Sequence, residues 1–268
     1  MKKIISFFLL ATAILPRVQA QNNRAAGPWK GKQCAVVLTY DDALNEHQSN
    51  ALPLLDSLGL KGTFYLSDYS GALQGQIRGW RAAAARGHEL GNHTVFHPCE
   101  GGRPGREFVT PDYDLNRYTH RRITDEIRTM NVLLNAIDGK TKRTFAFPCS
   151  DTRIHDTAYF PAVKGQFVAA RAVRSELPAP ASVKLDDIGC FMVNGQSGDE
   201  LVAQVRQAME KKALLVFLFH GVGGGHGLNV SLPAHRRLLH FLKENEKAIW
   251  TAPMIEVAEF VQTYQQHQ

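Results

Sequence analysis

The sequence predicts an α/β fold, a distorted barrel of about seven parallel strands in a single domain, and three observations carry that reading. Short β-rich runs alternate with amphipathic helical stretches along the chain, the pattern of a parallel sheet covered by helices. Seven such runs in 268 residues suit a barrel better than an open sheet. A composition of 44% hydrophobic and 21% charged residues is that of an ordinary globular domain and excludes collagen-like and wholly disordered chains.

Taken in order, the N-terminus comes first. Met1-Lys2-Lys3 precedes an apolar run over residues 4–15 and the small-residue stretch Val18-Gln19-Ala20, the three parts of a secretory signal. The run is about twelve residues, too short to span a bilayer, and Pro16 with the polar Gln21-Asn22-Asn23 gives it no partner as a buried helix. Residues 1–20 are therefore expected to be a signal peptide cut after Ala20, sending the protein to the periplasm or outside the cell. No Cys lies beside this site to take a lipid, and no later stretch is long and apolar enough to serve as a transmembrane anchor. Residues 21–29 read as a loose arm and residues 30–268 as one catalytic domain. Lys2, Lys3 and Arg17 account for half of the net charge of +6, which leaves 28 basic against 25 acidic residues after position 20. That balance is too even for a nucleic-acid partner.

Strands are expected at 34–40, 61–67, 88–94, 143–148, 167–173, 188–193 and 214–220. Helices, with apolar residues three or four apart, are expected at 47–58, 76–86, 119–136, 199–211, 231–245 and 254–264. The longest stretch without a pattern, 98–116, follows a His pair and reads as a functional wall.

Chemistry collects at three strand ends. Asp41 and Asp42 close an apolar strand at the end where catalytic groups of parallel sheets belong; alone, the pair reads more readily as a turn and helix cap. His93 and His97, four apart, place two imidazoles where both reach one cation, and a carboxylate from a neighbouring strand completes a three-ligand set with open positions. Thr94 rules out the zinc-protease helix, which has Glu there. His220 ends the apolar run that begins at Leu214, ahead of the glycine-rich 221–227, and is placed either for proton transfer or as a packed histidine. The glycines lack the Gly-Lys-Ser/Thr of a phosphate loop and read as a flexible rim.

Together these segments resemble the polysaccharide deacetylase family, the NodB-homology carbohydrate esterases. Its Thr-Phe-Asp-Asp motif is similar to Thr39-Tyr40-Asp41-Asp42, its His-Ser/Thr-x-x-His motif to His93-Thr94-Val95-Phe96-His97, and its Leu-x-His motif to Leu218-Phe219-His220, in family order over about residues 34–262. The resemblance implies the NodB-homology barrel, with Asp41 as general base, Asp42, His93 and His97 as metal ligands, and His220 as general acid. Zinc is the expected metal; a two-His, one-Asp set also accepts cobalt or nickel. The implied substrate is an acetylated carbohydrate outside the cytoplasm, such as acetylated xylan or an N-acetylglucosamine-containing glycan.

The family's Arg-x-Pro-Tyr-Gly motif departs here. Aligned on Pro148, the Arg position is Ala146, the Tyr position Cys149 and the Gly position Ser150. Arg171 or Arg153 is expected to replace the arginine that orients the base, and Cys149 to offer its backbone N–H to the oxyanion. Asp186 or Asp187 is the expected acidic partner of His220. An exported chain makes Cys34, Cys99, Cys149 and Cys190 eligible for disulfides, and four cysteines allow three pairings. Cys34 lies seven residues before Asp41, about 23 Å along the strand, whereas Cys99 and Cys149 each follow a site motif closely. If a bridge forms, Cys99–Cys149 is the expected one; free buried thiols, or a reactive Cys149, are the alternatives. Loss of the motif arginine motivates one reading from another class, a catalytically silent carbohydrate-binding protein on the same fold. An iron oxygenase, with a similar ligand set, is disfavoured by the alternation of helices and strands. Allantoinase-like amide hydrolysis is disfavoured by the export signal.

Overall fold

Strand β1 (Cys34–Asp41) is buried at every position and forms the axis of the sheet. Its alternate residues serve two cores, as the two-residue period of a strand requires: Val36, Leu38 and Tyr40 pack with the surrounding helices, and Ala35 and Val37 face the interior. The structure, a computed structural model, describes residues 28–71 and 73–268. The expected signal segment and residues 21–27 of the expected arm lie outside the described residues.

The other strands of the main sheet are β2 (Thr63–Leu66), β3 (Glu89–Asn92), β4 (Thr144–Ala146), β5 (Ala169–Arg171), β6 (Phe191–Met192), β7 (Leu214–Phe219) and β8 (Ile249–Thr251). Their lateral order is β5-β4-β3-β2-β1-β7-β6, with β8 beside the first half of β1, and every pairing is parallel. The two edges are linked by one segment: Ile188 bridges Arg171 in β5, and Phe191 and Met192 pair with Phe217 and Leu218 in β7. The sheet is thereby curled into a half-barrel. All seven expected strands are present; β1 runs one residue further than expected, to Asp41, and the other six are trimmed at their ends. The eighth, β8, is three residues long, too short for its pattern to stand out.

Six helices cover the sheet: α1 (Leu52–Ser57), α2 (Ile77–Ala85), α3 (His120–Asp138), α4 (Gly198–Lys211), α5 (Leu232–Glu244) and α6 (Met254–Gln266). Local signals set their limits. Ser197 and Glu200 form a reciprocal capping box at the start of α4. Thr119 and Ser231 cap α3 and α5 by accepting the N–H of Arg122 and Ala234. Gly139, at φ 71°, ends α3 in the left-handed conformation. A π-helical turn, His47–Ala51, leads into α1, where Pro53 has no N–H to give the regular ladder.

The bottom of the half-barrel is closed by a buried carboxylate. Glu89 accepts hydrogen bonds from Thr63 Oγ1 (2.8 Å), Thr144 Oγ1 (2.6 Å) and the Ile255 N–H (2.9 Å). The last is in the first turn of α6, where the helix dipole favours negative charge. Trp29, at the end of the expected arm, is fully buried, and its indole N–H donates to Lys212 O at 2.8 Å. Trp80 is also buried, and Trp250 is half-buried under the Lys30 ammonium.

Candidate active site

Asp41 ends β1, His93 follows β3, Arg171 ends β5 and His220 follows β7. All four lie at the carboxyl ends of parallel strands, so the fold gathers them on one face. The backbone there is tightly turned. Asp42 (φ 78°), Ala43 (54°), Thr94 (61°), His97 (51°), Cys149 (53°) and Ser150 (63°) are all left-handed, a conformation that costs a non-glycine residue about 1 kcal/mol or more. Hydrogen bonds hold the His93–His97 turn in this shape: Asn92 Oδ1 accepts the Thr94 N–H (2.9 Å), and Thr94 Oγ1 accepts the His97 N–H (3.0 Å).

Asp42 stands between three imidazoles. Its Oδ1 is 3.6 Å from His93 Nε2 and 3.4 Å from His97 Nε2, and its Oδ2 is 3.9 Å from His220 Nε2. Ligand atoms of Asp42, His93 and His97 lie within 4.8 Å of one another. His93 Nδ1 donates to Ala146 O at 2.8 Å, which leaves Nε2 bare and aimed at the carboxylate, the tautomer a metal-bound histidine takes. Burial, with His97 beside it, keeps the His93 imidazole far below its usual range and thus neutral. Burial alone would raise the Asp42 carboxyl, but His97, His93 and His220 outweigh it and hold the carboxyl below its usual range. Asp42 Oδ1 is buried with no hydrogen-bond partner among the described residues. A carboxylate oxygen and two imidazole nitrogens, converging and otherwise unsatisfied, fit a divalent cation of the zinc type.

Asp41, 3% exposed, is held by Arg171, whose Nη2 donates to Asp41 Oδ2. Arg171 is the in-register partner of Ala146 on the adjacent strand, so the guanidinium enters one strand away from the position where the motif places it. It lies 5.0 Å from the centre of the Tyr65 ring, and its Nη1 donates to Cys190 Sγ at 3.3 Å. Tyr65 fits because Gly91 is opposite it: a Cβ there would lie 2.4 Å from the ring. Asp41 Oδ1 is buried without a hydrogen-bond partner among the described residues and is the oxygen left for chemistry. Arg153, the other expected replacement, is exposed and donates to Asp156 O; it does not reach Asp41.

His220 is fixed through its backbone. Its carbonyl accepts the His47 Nε2–H at 2.7 Å, and its ring stacks on His226 at 4.8 Å. Burial pushes its imidazole below the usual range, against the pull of Asp42 and Asp41. The expectation that Asp186 or Asp187 partners His220 is wrong. Asp186 pairs with Lys164 and Asp187 with Arg174, both at the surface, because the 185–193 segment runs along the edges of the sheet. His47 was missed by sequence reading; the available signal was a histidine on the buried side of the helix that follows Asp42.

Cys99 and Cys149 form a disulfide, and Cys34 and Cys190 are free and buried. The bridge ties the loop of His97 to the turn of Pro148, so neither a free Cys149 thiol nor a Cys99–Cys149 metal site is present. Residues 98–116 do wall the site: Arg106 pairs with Asp151 (2.9 Å) and donates to Cys149 O (2.9 Å).

A curled parallel half-barrel with this carboxylate and imidazole cluster at its carboxyl rim defines a hydrolase of the NodB-homology carbohydrate esterase class. The model of the polysaccharide deacetylase family matches residues 30–159, a span that holds Asp41, Asp42, His93, His97 and Cys149. Solved structures similar in fold include Puue allantoinase (TM-score 0.62, 13% identity, covering 88% of this chain and 93% of that one). Another is the Xyl-CE4 domain of a multidomain xylanase from the hindgut metagenome of Trinervitermes trinervoides (TM-score 0.53, 16% identity, covering 84% and 90%). A gellan lyase from Bacillus sp is 28% identical over 150 residues, 56% of this chain and 5% of that protein. The chain thus spans about one twentieth of the length of the curated relative it matches.

Proposed function

We propose that the protein is a metal-dependent deacetylase that removes O- or N-linked acetyl groups from an extracytoplasmic carbohydrate. The observation that carries this reading is the convergence on Asp42 of His93, His97 and His220, with Asp41 held beside it by Arg171. Asp42, His93 and His97 would hold the cation, zinc by default. When bound, it supplies Lewis-acid polarisation of the acetyl carbonyl and acidifies water. Asp41 takes the proton of the attacking water on Oδ1, while Arg171 keeps Oδ2 occupied and the carboxylate oriented. His220 gives a proton to the departing sugar oxygen or nitrogen. The Cys149 N–H, on the turn locked to the His97 loop, hydrogen-bonds the oxyanion. No covalent intermediate with the protein is needed.

Several features support the finer points. The Cys99–Cys149 bridge suits an oxidising compartment and with it the export expected from residues 1–20. A silent carbohydrate-binding protein is disfavoured because the lost motif arginine is made good by Arg171 in direct contact with Asp41. The test is acetate release by the purified protein from acetylated xylan and from an N-acetylated chitin oligomer, with and without a chelator and added zinc. Chelator-sensitive release from either substrate is expected; absence of release from both, with metal bound, would overturn the reading.

A further inference from the structure

An aromatic ledge runs outward from the metal-ligand pair. The His97 ring lies 4.7 Å from that of His93 and 6.3 Å from Tyr69; Tyr69 meets Tyr113 edge-on at 5.8 Å; Tyr113 stacks on Phe96 at 5.4 Å with 27° between planes. These rings come from three separate places: the segment after β2, the His93–His97 turn and the far end of the 98–116 wall. Nothing in core packing calls for this, since Phe96 is 37% exposed and Tyr69 and Tyr113 are half-buried. Phe96 stands out because left-handed residues Thr94 and His97 bracket it and turn the chain outward.

The ledge is rigidly built. The Tyr113 carbonyl accepts the Cys99 N–H (3.2 Å), and the Leu115 N–H donates back to Cys99 O (2.9 Å). Asp114 Oδ1 takes the N–H groups of Gly101 and Asn116, both at 2.9 Å. Cys99 is itself bridged to Cys149, so Tyr113 is pinned to the same loop that carries His97. Beyond Phe96 lies a shallow groove of about 490 Å³ whose walls include Arg121, Arg122 and Asp125.

We propose that Phe96, Tyr113 and Tyr69 form a stacking subsite for a pyranose ring adjoining the acetylated sugar, making the enzyme selective for oligosaccharides over single acetyl esters. The proposal rests on the carbohydrate reading above. The apolar CH face of a pyranose covers an exposed aromatic face while its hydroxyls remain at the edge, where the Tyr69 and Tyr113 phenols and the groove's charged groups can meet them. Because the ledge is fixed before binding, little ordering cost is added. Continuity with His97 places the stacked ring next to the acetyl group rather than at a remote site.

The experiment compares wild type, Phe96→Ala, Tyr113→Ala, their double variant, and Tyr113→Trp. Two readouts are taken: kcat and KM on an acetylated oligosaccharide and on 4-nitrophenyl acetate, and calorimetric binding of the matching deacetylated oligosaccharide. The double variant is expected to lower the ratio of oligosaccharide to aryl-ester kcat/KM by about tenfold or more, through KM, and to weaken oligosaccharide binding by a similar factor, with Tyr113→Trp retaining both. Equal loss on both substrates would assign the rings a structural role and overturn the proposal, as would unchanged oligosaccharide KM and binding. If wild type releases no acetate yet binds the oligosaccharide and loses binding in the double variant, the deacetylase reading fails and the subsite stands.

Discussion

Arg171 reaches Asp41 from β5, the strand that pairs with β4, and its in-register neighbour there is Ala146. The guanidinium and carboxylate are both buried, at 1% and 4% side-chain exposure, so each depends on the other. Removing one partner of a buried pair typically costs 3–5 kcal/mol, about what the uncompensated charge demands. Arg171→Ala is expected to lose about that much stability and most activity, and Arg171→Lys to recover stability better than turnover, because an ammonium lacks the planar fork. Ala146→Arg combined with Arg171→Ala is expected to regain part of the activity, since the side chain then enters from the adjacent strand. Urea unfolding and acetate release together check this; a double variant no better than Arg171→Ala would count against the displaced-arginine account.

The metal ligands should reveal themselves without any substrate. His97→Ala and Asp42→Ala are each expected to lower zinc content measured by elemental analysis, and added zinc is expected to raise the thermal midpoint of wild type but not of either variant. An equal zinc-induced rise in all three would place the cation elsewhere.

The disulfide closes a loop with a sequence separation of 50 residues, which on the chain-entropy estimate contributes about 4 kcal/mol at most. Because it also ties the loop of left-handed His97 to left-handed Cys149, Cys99→Ser is expected to lose activity beyond what its stability loss explains, with zinc affinity reduced. Activity and zinc binding measured well below the variant's melting temperature would decide. A variant with lowered melting point but wild-type turnover would limit the bridge to a structural role.

Acid should destabilise the fold through two buried histidines. Burial pushes His47 down to about 4 and His235 to about 3, both well under the unfolded value near 6.5. Between pH 6.5 and 4 the unfolded chain binds protons at these sites that the folded chain does not, so stability present above pH 6.5 is lost as pH falls. For His47 alone the loss is on the order of 3 kcal/mol by pH 4. His235→Gln, which can keep a hydrogen bond to the Tyr40 hydroxyl (2.8 Å to His235 Nε2 in wild type), should flatten the dependence. Denaturant unfolding across this range checks it, and an identical slope in the variant would contradict it.

The strand ends were legible because long apolar runs and alternating elements announce themselves, and the ligand set because Asp42, His93 and His97 sit where two such runs stop. What the sequence hid depends on lateral contact. That Arg171 rather than Arg153 meets Asp41 follows from the β4–β5 register, which no local pattern encodes. The wrong assignment of Asp186 and Asp187 has the same origin: charge pairs at a sheet edge read like site residues until the edge is known. His47 was hidden because its contact is to a carbonyl 173 residues away.

The most direct test of the account is acetate release by wild type and by Asp41→Asn, each loaded with one equivalent of zinc, on whichever acetylated glycan wild type accepts. The account predicts chelator-sensitive release by wild type and, for Asp41→Asn, zinc binding retained with release lowered by at least about a hundredfold, the scale of a lost general base. Release that persists in the variant, or that ignores the chelator, would contradict it.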